Sequence, residues 1–280
     1  MTLPNFIILG AAKAGTTALY HYLRQHPQIY LSPLKETNFF ALEGETLRFC
    51  GPGDHDYVNC LSITTLEGYQ AQFDGVRDET AIGEASPLYL YSPRAVERIR
   101  HYVPDARLIA FVRNPIDRAF SAFLHLVRDD REPCREFRDG LAAEEERIEA
   151  GWEHIWHYKR MGLYHEQLRR YYDAFPAEQI RVFLYKDLRQ EQRRTLEEIF
   201  RFLQVDPHFV PDTRERYNVT TDLPPEKRPA LLPEVRAELR AYFREDILRL
   251  QDLIRRDLSH WLAEEPARTK AVTEDDPGAA

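Results

Sequence analysis

Five short stretches of the chain carry apolar residues in continuous rather than alternating order, at residues 6–9, 28–31, 81–84, 107–112 and 180–184. The unbroken runs at Phe6-Ile7-Ile8-Leu9 and from Leu108 to Val112 are the pattern of strands buried on both faces. Between most of these stretches apolar residues recur at helical spacing, over residues 17–25, 93–102, 115–127, 162–174 and 192–203. A last helix is expected at about 233–257, delivering Leu258 and Trp261 to the core. Strands alternating with helices predict a parallel sheet with right-handed crossovers. The expected fold class is therefore α/β, a single domain over residues 1–262 with a central five-stranded parallel sheet flanked by helices. Residues 43–72 and 129–160 carry little strand character and are expected as substrate-facing insertions. Residues 204–232 hold many prolines and read as a long loop, and the charged, small-residue composition of 263–280 predicts a disordered tail.

In parallel sheets ligands bind outside the carboxyl ends of the strands, and two unusual stretches lie just past such ends. The first is Gly10-Ala11-Ala12-Lys13-Ala14-Gly15-Thr16-Thr17, between the apolar run 6–9 and a helix with Leu19, Tyr22 and Leu23 on one face. Strand, glycine turn and helix N-terminus offer several backbone N–H groups to a phosphate. A Walker A loop needs lysine where Thr16 stands; here the lysine comes three residues earlier and points back across the phosphate from the loop side. A plain strand-to-helix turn capped by threonine explains everything but Lys13.

The second stretch follows the apolar run 107–112: Arg113-Asn114-Pro115, then Asp117-Arg118-Ala119-Phe120-Ser121. Pro115 suits a first helical position. An arginine leaving a buried strand and a hydroxyl on the next helix can converge on one anion. Lys-x-Gly-Thr-Thr near the start, with Arg-Asn-Pro…Arg-x-x-Ser about a hundred residues later, resembles the sulfotransferases that use 3′-phosphoadenylyl sulfate (PAPS) and release 3′-phosphoadenosine 5′-phosphate (PAP). The likeness runs from about residue 4 to Trp261, and Lys35-Glu36-Thr37-Asn38-Phe39-Phe40 brings it closest to the heparan-sulfate type and its bacterial relatives.

The resemblance implies a P-loop-NTPase-like sulfotransferase fold, with Lys13, Ala14, Gly15, Thr16 and Thr17 holding the 5′-phosphosulfate and Arg113 and Ser121 the 3′-phosphate. It gives Lys13 a second task, stabilising the bridging oxygen as the S–O bond breaks. Glu36 matches the glutamate that takes the acceptor proton, and Ser32-Pro33 is expected to open a helical turn carrying it to the edge where Lys13 stands. A carboxylate serves as base near neutrality when burial raises its pKa. Lys35 either neutralises the sulfuryl group or is solvated. His125, one helical turn beyond Ser121, matches a histidine at the relatives' active site and is either the base in place of Glu36 or a donor to the sulfuryl oxygens. Gly83-Glu84-Ala85-Ser86-Pro87-Leu88-Tyr89 should approach the site, although some relatives have lysine where Ala85 stands. Tyr164 is expected near the nucleotide or in the core. Many relatives close the 3′-phosphate site with a glycine-containing basic loop; here Glu226-Lys227-Arg228-Pro229 has no glycine, and Lys227 or Arg228 is the substitute.

Composition narrows the partners. The formal charge of −8 over 280 residues argues against nucleic acid and against a long polyanionic substrate. Between Met1 and Gln28 the only charged side chains are Lys13 and Arg24, so the cofactor end is locally positive. Glu144-Glu145-Glu146 reads as a solvated helix face. No run of 18 apolar residues exists, so no membrane span is expected, and the immediate entry into a core strand leaves no room for a signal peptide. Cys50, Cys60 and Cys134 lack metal-ligand spacing and suggest free thiols in a reducing compartment. The expectation is a bacterial cytoplasmic enzyme, monomeric, or a domain of a larger protein. His154 and His157 have no evident third ligand, and no metal is expected. Small-molecule, saccharide, lipid and carrier-bound acceptors all fit, the accepting group being a hydroxyl or, as the lesser alternative, an amine. Tyr57, Tyr69, Trp152, Trp156 and Tyr158 suggest an apolar or sugar-stacking surface, or lid packing. The alternatives are a P-loop nucleotide kinase, which the broken Walker A and the missing Walker B aspartate disfavour, and a non-catalytic nucleotide-binding module. No Gly-x-Ser-x-Gly supports serine hydrolysis.

Overall fold

The computed structural model describes residues 2–215, 217 and 228–263. All five expected strands form: β1 (Phe6–Gly10), β2 (Ile29–Leu31), β3 (Ala81–Ala85), β4 (Arg107–Val112) and β5 (Ile180–Leu184). They pair in parallel in the order β2-β3-β1-β4-β5. Central β1 is wholly buried at Phe6 to Leu9, as is β4 from Leu108 to Val112, because helices cover both faces of the sheet. Continuous apolar sequence was therefore the right sign of these two strands.

The helices in chain order are α1 (Thr16–Leu23), α2 (Phe39–Leu42), α3 (Leu66–Gln70), α4 (Leu88–Tyr91), α5 (Pro93–Tyr102) and α6 (Pro115–Arg128). There follow α7 (Phe137–Ala142), α8 (Glu144–Glu149), α9 (Tyr164–Ala174), α10 (Tyr185–Gln190), α11 (Gln192–Leu203) and α12 (Pro233–Ile254). Leu258 and Trp261 are buried after α12, as expected. The tail expected to be disordered lies outside the described residues from 264 onward, and so does Lys227.

Local chemistry sets the two helix starts that matter. Asn114 caps α6, its side-chain oxygen accepting the Ile116 N–H at 3.0 Å, with Pro115 in the first turn. α1 starts at Gly15, in left-handed backbone (φ 94°), and no side chain caps it. The N-cap position is thus held by glycine rather than by threonine. An added Cβ at Gly15 would stand 3.0 Å from the Tyr185 ring, so both backbone and space call for glycine.

The two insertions brace each other. Arg131 pairs with buried Asp54 at 2.6 Å, and the same carboxylate accepts the N–H groups of Gly51 and Glu153 and the Trp156 indole. Trp156, Tyr158 and Tyr69 are fully buried, so most of the aromatic residues expected as a binding surface are packing instead. Tyr57 is the exception, half exposed and stacked against Arg131 at 4.7 Å. Glu144 also departs from expectation. It is buried rather than solvated, because the N–H groups of Lys159 and Arg160 need its carboxylate as acceptor (2.7 and 2.9 Å).

Candidate active site

After β1 the chain runs to β2 at one edge of the sheet and after β4 to β5 at the other, so the loops after these adjacent strands leave in opposite directions and open a crevice between them. The Ala11 N–H donates to the Phe111 carbonyl at 2.7 Å, and Arg113 donates to the Lys13 carbonyl at 3.1 Å, which ties the two loops together at that point. A cavity of about 640 Å³ fills the crevice. Lys13, Gly15, Thr16, Thr17, Glu36, Arg113, Ser121 and His125 all line it. Residues more than a hundred positions apart in sequence are thereby brought together.

Three expected residues are not among the lining. Ala14 is buried, and its N–H is engaged by the Ala11 carbonyl at 3.2 Å. Tyr164 is buried at the start of α9, whose first N–H groups are capped by Asp246 of α12 at 2.9 and 3.0 Å, and it lies close enough to Arg113 to feel its charge. Arg228 is exposed and is not among the lining residues.

Several lining residues escaped sequence reasoning. Tyr185 is the first residue past β5, as Arg113 is past β4, and the rule that found Arg113 would have found it. The Arg113 guanidinium lies over the Tyr185 ring, 4.8 Å from its centre. Tyr22, Leu188, Thr213 and Tyr217 complete that end, while Pro87 and Leu88 close the side that the 83–89 stretch was expected to approach. Of the insertions, 129–160 supplies Ile155 to the lining and 43–72 supplies none.

Electrostatics sharpen the roles. The Lys13 ammonium is held down at about 8, first by burial and then by the charges of Arg128 and Arg113, against the opposing pull of Glu36 and Asp129. His125 is lowered to about 4, by burial and by Lys13. Arg128, one turn further along α6, stands 2.8 Å from His125 Nδ1 and donates to it. A neutral imidazole that accepts at Nδ1 carries its proton on Nε2.

Glu36 does not sit in the expected helical turn. It takes a left-handed conformation (φ 68°), as does Asn38 (φ 55°), and helix begins only at Phe39. Its side chain lies deep among protein atoms yet faces the open cavity, 51% exposed, in an ion pair with Lys35. Nor is its carboxyl raised. Burial pushes it up, but Lys35, Lys13 and His125 together hold it below the usual carboxylate range.

Among the described residues no group of three or more His, Cys, Asp or Glu is placed to hold a metal ion. The three cysteines form no disulfide. No described helix is long and apolar enough to cross a membrane.

The sulfotransferase family model matches residues 4–209. The chain belongs to the sulfotransferase family. A crystal structure of a sulfotransferase from Alicyclobacillus acidocaldarius superposes with a TM-score of 0.84 at 44% identity, covering 93% of this chain and 99% of the other. A mouse sulfotransferase complexed with PAP shares the fold (TM-score 0.54, 14% identity, 90% of this chain and 86% of the other). Among curated relatives, the membrane-associated sulfotransferase kil1 of Dictyostelium discoideum is 24% identical over 92% of this chain. The mouse bifunctional heparan sulfate N-deacetylase/N-sulfotransferase 4 is 26% identical over 74% of it. The chain spans 66% and 23% of the lengths of those two relatives. Membership supports sulfuryl transfer, and the kinase alternative finds no support in it.

Proposed function

We propose that this sulfotransferase moves a sulfuryl group in line from PAPS to an acceptor hydroxyl, using Glu36 as base and Lys13 against the leaving phosphate. The observation that carries the reading is the meeting of Lys13, Glu36, Arg113, Ser121 and His125 around one cavity at the carboxyl edge of the sheet. PAP in the mouse structural neighbour supports the choice of nucleotide.

The uncapped start of α1 suits the 5′-phosphosulfate, since its amides and Thr16 and Thr17 face the cavity. Arg113 and Ser121 take the 3′-phosphate. Stacking on Tyr185 orients the guanidinium and leaves the nucleoside the aromatic end bounded by Tyr22 and Tyr217. Bond breaking places charge on the phosphate oxygen that leaves, where the Lys13 ammonium stabilises it. Glu36, ionised at neutral pH, accepts the proton that the acceptor hydroxyl loses. His125 is the weaker candidate for base, because its free nitrogen carries the proton; as a donor it orients the sulfuryl oxygens.

The decisive measurement is calorimetric titration with PAP and with ATP, each with and without Mg²⁺. Metal-independent binding of PAP alone is expected; tighter, Mg²⁺-dependent binding of ATP would overturn the reading. Labelled-sulfate transfer from PAPS to saccharide, lipid and carrier-bound hydroxyl pools then assigns the acceptor. Saccharides come first, given the heparan sulfate relatives.

A further inference from the structure

Behind Glu36 lies a buried carboxylate that this chemistry does not use. Glu84, on β3, is fully buried, and among the described residues it has no lysine or arginine partner. Four hydroxyls surround it instead. One oxygen accepts from Tyr69 at 3.0 Å and Tyr89 at 2.6 Å, the other from Thr37 at 3.0 Å and Ser86 at 2.8 Å. Thr37 Oγ1 also stands 3.1 Å from the Tyr89 oxygen, so the hydroxyls form one connected network around the carboxylate. Two of the hydroxyl oxygens accept in turn. Ser86 Oγ accepts the Asn38 N–H at 3.1 Å, and the Tyr89 oxygen accepts the Phe40 N–H at 3.3 Å.

This cage holds the turn that carries Glu36. Thr37 stands between two residues in left-handed backbone, Glu36 and Asn38, each conformation unfavourable for a residue with a side chain. The Glu36 N–H donates to the Ala85 carbonyl at 2.9 Å and the Thr37 carbonyl accepts from Ile63 at 2.8 Å, but the Thr37 side chain is pinned by Glu84. We propose that Glu84 is a positioning residue that acts through Thr37, fixing the 36–38 turn so that the Glu36 carboxylate stands at the cavity. The proposal rests on the reading of Glu36 as base. Burial pushes the Glu84 carboxyl above its ordinary range, against the pull of the four hydroxyls that donate to it.

Two variants test it. Glu84→Gln keeps the shape and puts two N–H donors where an acceptor oxygen stood, and Thr37→Val removes only the connecting hydroxyl, with Thr37→Ser as the rescuing control. Amide hydrogen exchange at Asn38 and Phe40 should speed up at least tenfold in Thr37→Val while amides of β1 and β4 stay unchanged. PAP release from PAPS, with water or the screened hydroxyl pools as acceptor, should fall 10- to 100-fold in kcat with PAP affinity within twofold of the parent. Thr37→Ser should restore both. In a Glu36→Gln background, Thr37→Val should cost nothing further, since residues acting through one another are not additive. Unchanged exchange at 38 and 40, or an additive rate loss, overturns the positioning role. If instead Glu36→Gln alone keeps full activity, the base assignment falls, and the exchange result still decides whether the cage fixes the turn. Should Glu84→Gln fail to fold, Thr37→Val carries the test by itself.

Discussion

Lys13 offers a sharp experiment because its proton is held so loosely. An ordinary lysine stays protonated to about 10.5, whereas burial and the neighbouring Arg128 and Arg113 bring Lys13 down to about 8. The charged form is the one that stabilises a leaving phosphate, so activity is present below that value and is lost as pH rises through it. Between pH 7 and pH 9 the protonated fraction of a group titrating at about 8 falls about tenfold, while that of an unperturbed lysine hardly changes. The quantity to follow is kcat/KM for PAPS, which reports the free enzyme. In the complex the bound phosphates favour the ammonium and move the limb upward, so kcat should hold to higher pH than kcat/KM. The acceptor should be an alcohol, which does not ionise in this range. Lys13→Arg supplies the control, since a guanidinium keeps its charge throughout; the variant is expected to be slower, with no basic limb up to pH 10. A parent profile flat to pH 10 refutes the reasoning, and so does a basic limb that survives in Lys13→Arg.

Other outcomes follow from the same cavity. Arg113→Ala should weaken PAP binding by about 2–3 kcal/mol, the scale of a bidentate charge-assisted contact, and leave adenosine 5′-phosphosulfate almost untouched; equal losses for both would show that Arg113 does not read the 3′-phosphate. Glu36→Gln should lower kcat by roughly 10²–10⁴ with PAP affinity near normal. His125→Ala should keep measurable activity and the same acidic limb in kcat, since the imidazole is neutral over the working range; a limb that survives in Glu36→Gln and vanishes in His125→Ala reverses the two roles.

What the sequence disclosed, and what it hid, divides by range. The strands were legible because burial on both faces leaves an unbroken apolar run, and Lys13 and Arg113 because each follows such a run directly. α5 and α11 begin and end where their periodicity does, at 93–102 and 192–203. The turn at Glu36 was misread as helical because Ser32-Pro33 is a fair helix opening; the left-handed backbone at 36 and 38 is held by a carboxylate 47 positions from Thr37, which no local pattern shows. The burial of Trp156 likewise follows from Asp54, 102 positions away. Glu144 looks solvated within an acidic triplet, yet two amides fifteen and sixteen residues on claim its oxygens. Arg128 was within reach: it continues the α6 face through Ser121 and His125 and was passed over because it follows no recognised motif.

The depressed Glu36 carboxylate has a consequence for how such a site would work. A base held below the ordinary carboxylate range is weak, and the cause is the cationic charge beside it, Lys35 in its ion pair and Lys13 in the same cavity. Of those cations, Lys13 lines the space proposed for the anionic donor. Once PAPS occupies it, phosphate and sulfate charge offsets theirs, and the pull that lowers Glu36 is relieved. On the proposed reading the cofactor strengthens the base that acts on the second substrate, and the free enzyme keeps the carboxylate ionised and inactive. A loose transfer step asks for little proton removal before the S–O bond has largely broken, so a modest rise suffices. The Glu36 carboxyl resonance, followed by NMR across pH, should therefore titrate at higher pH with saturating PAP than without it, and the displacement should shrink in Lys13→Met. A titration that does not move when PAP binds would mean that the cations serve the nucleotide alone and leave the base as they found it.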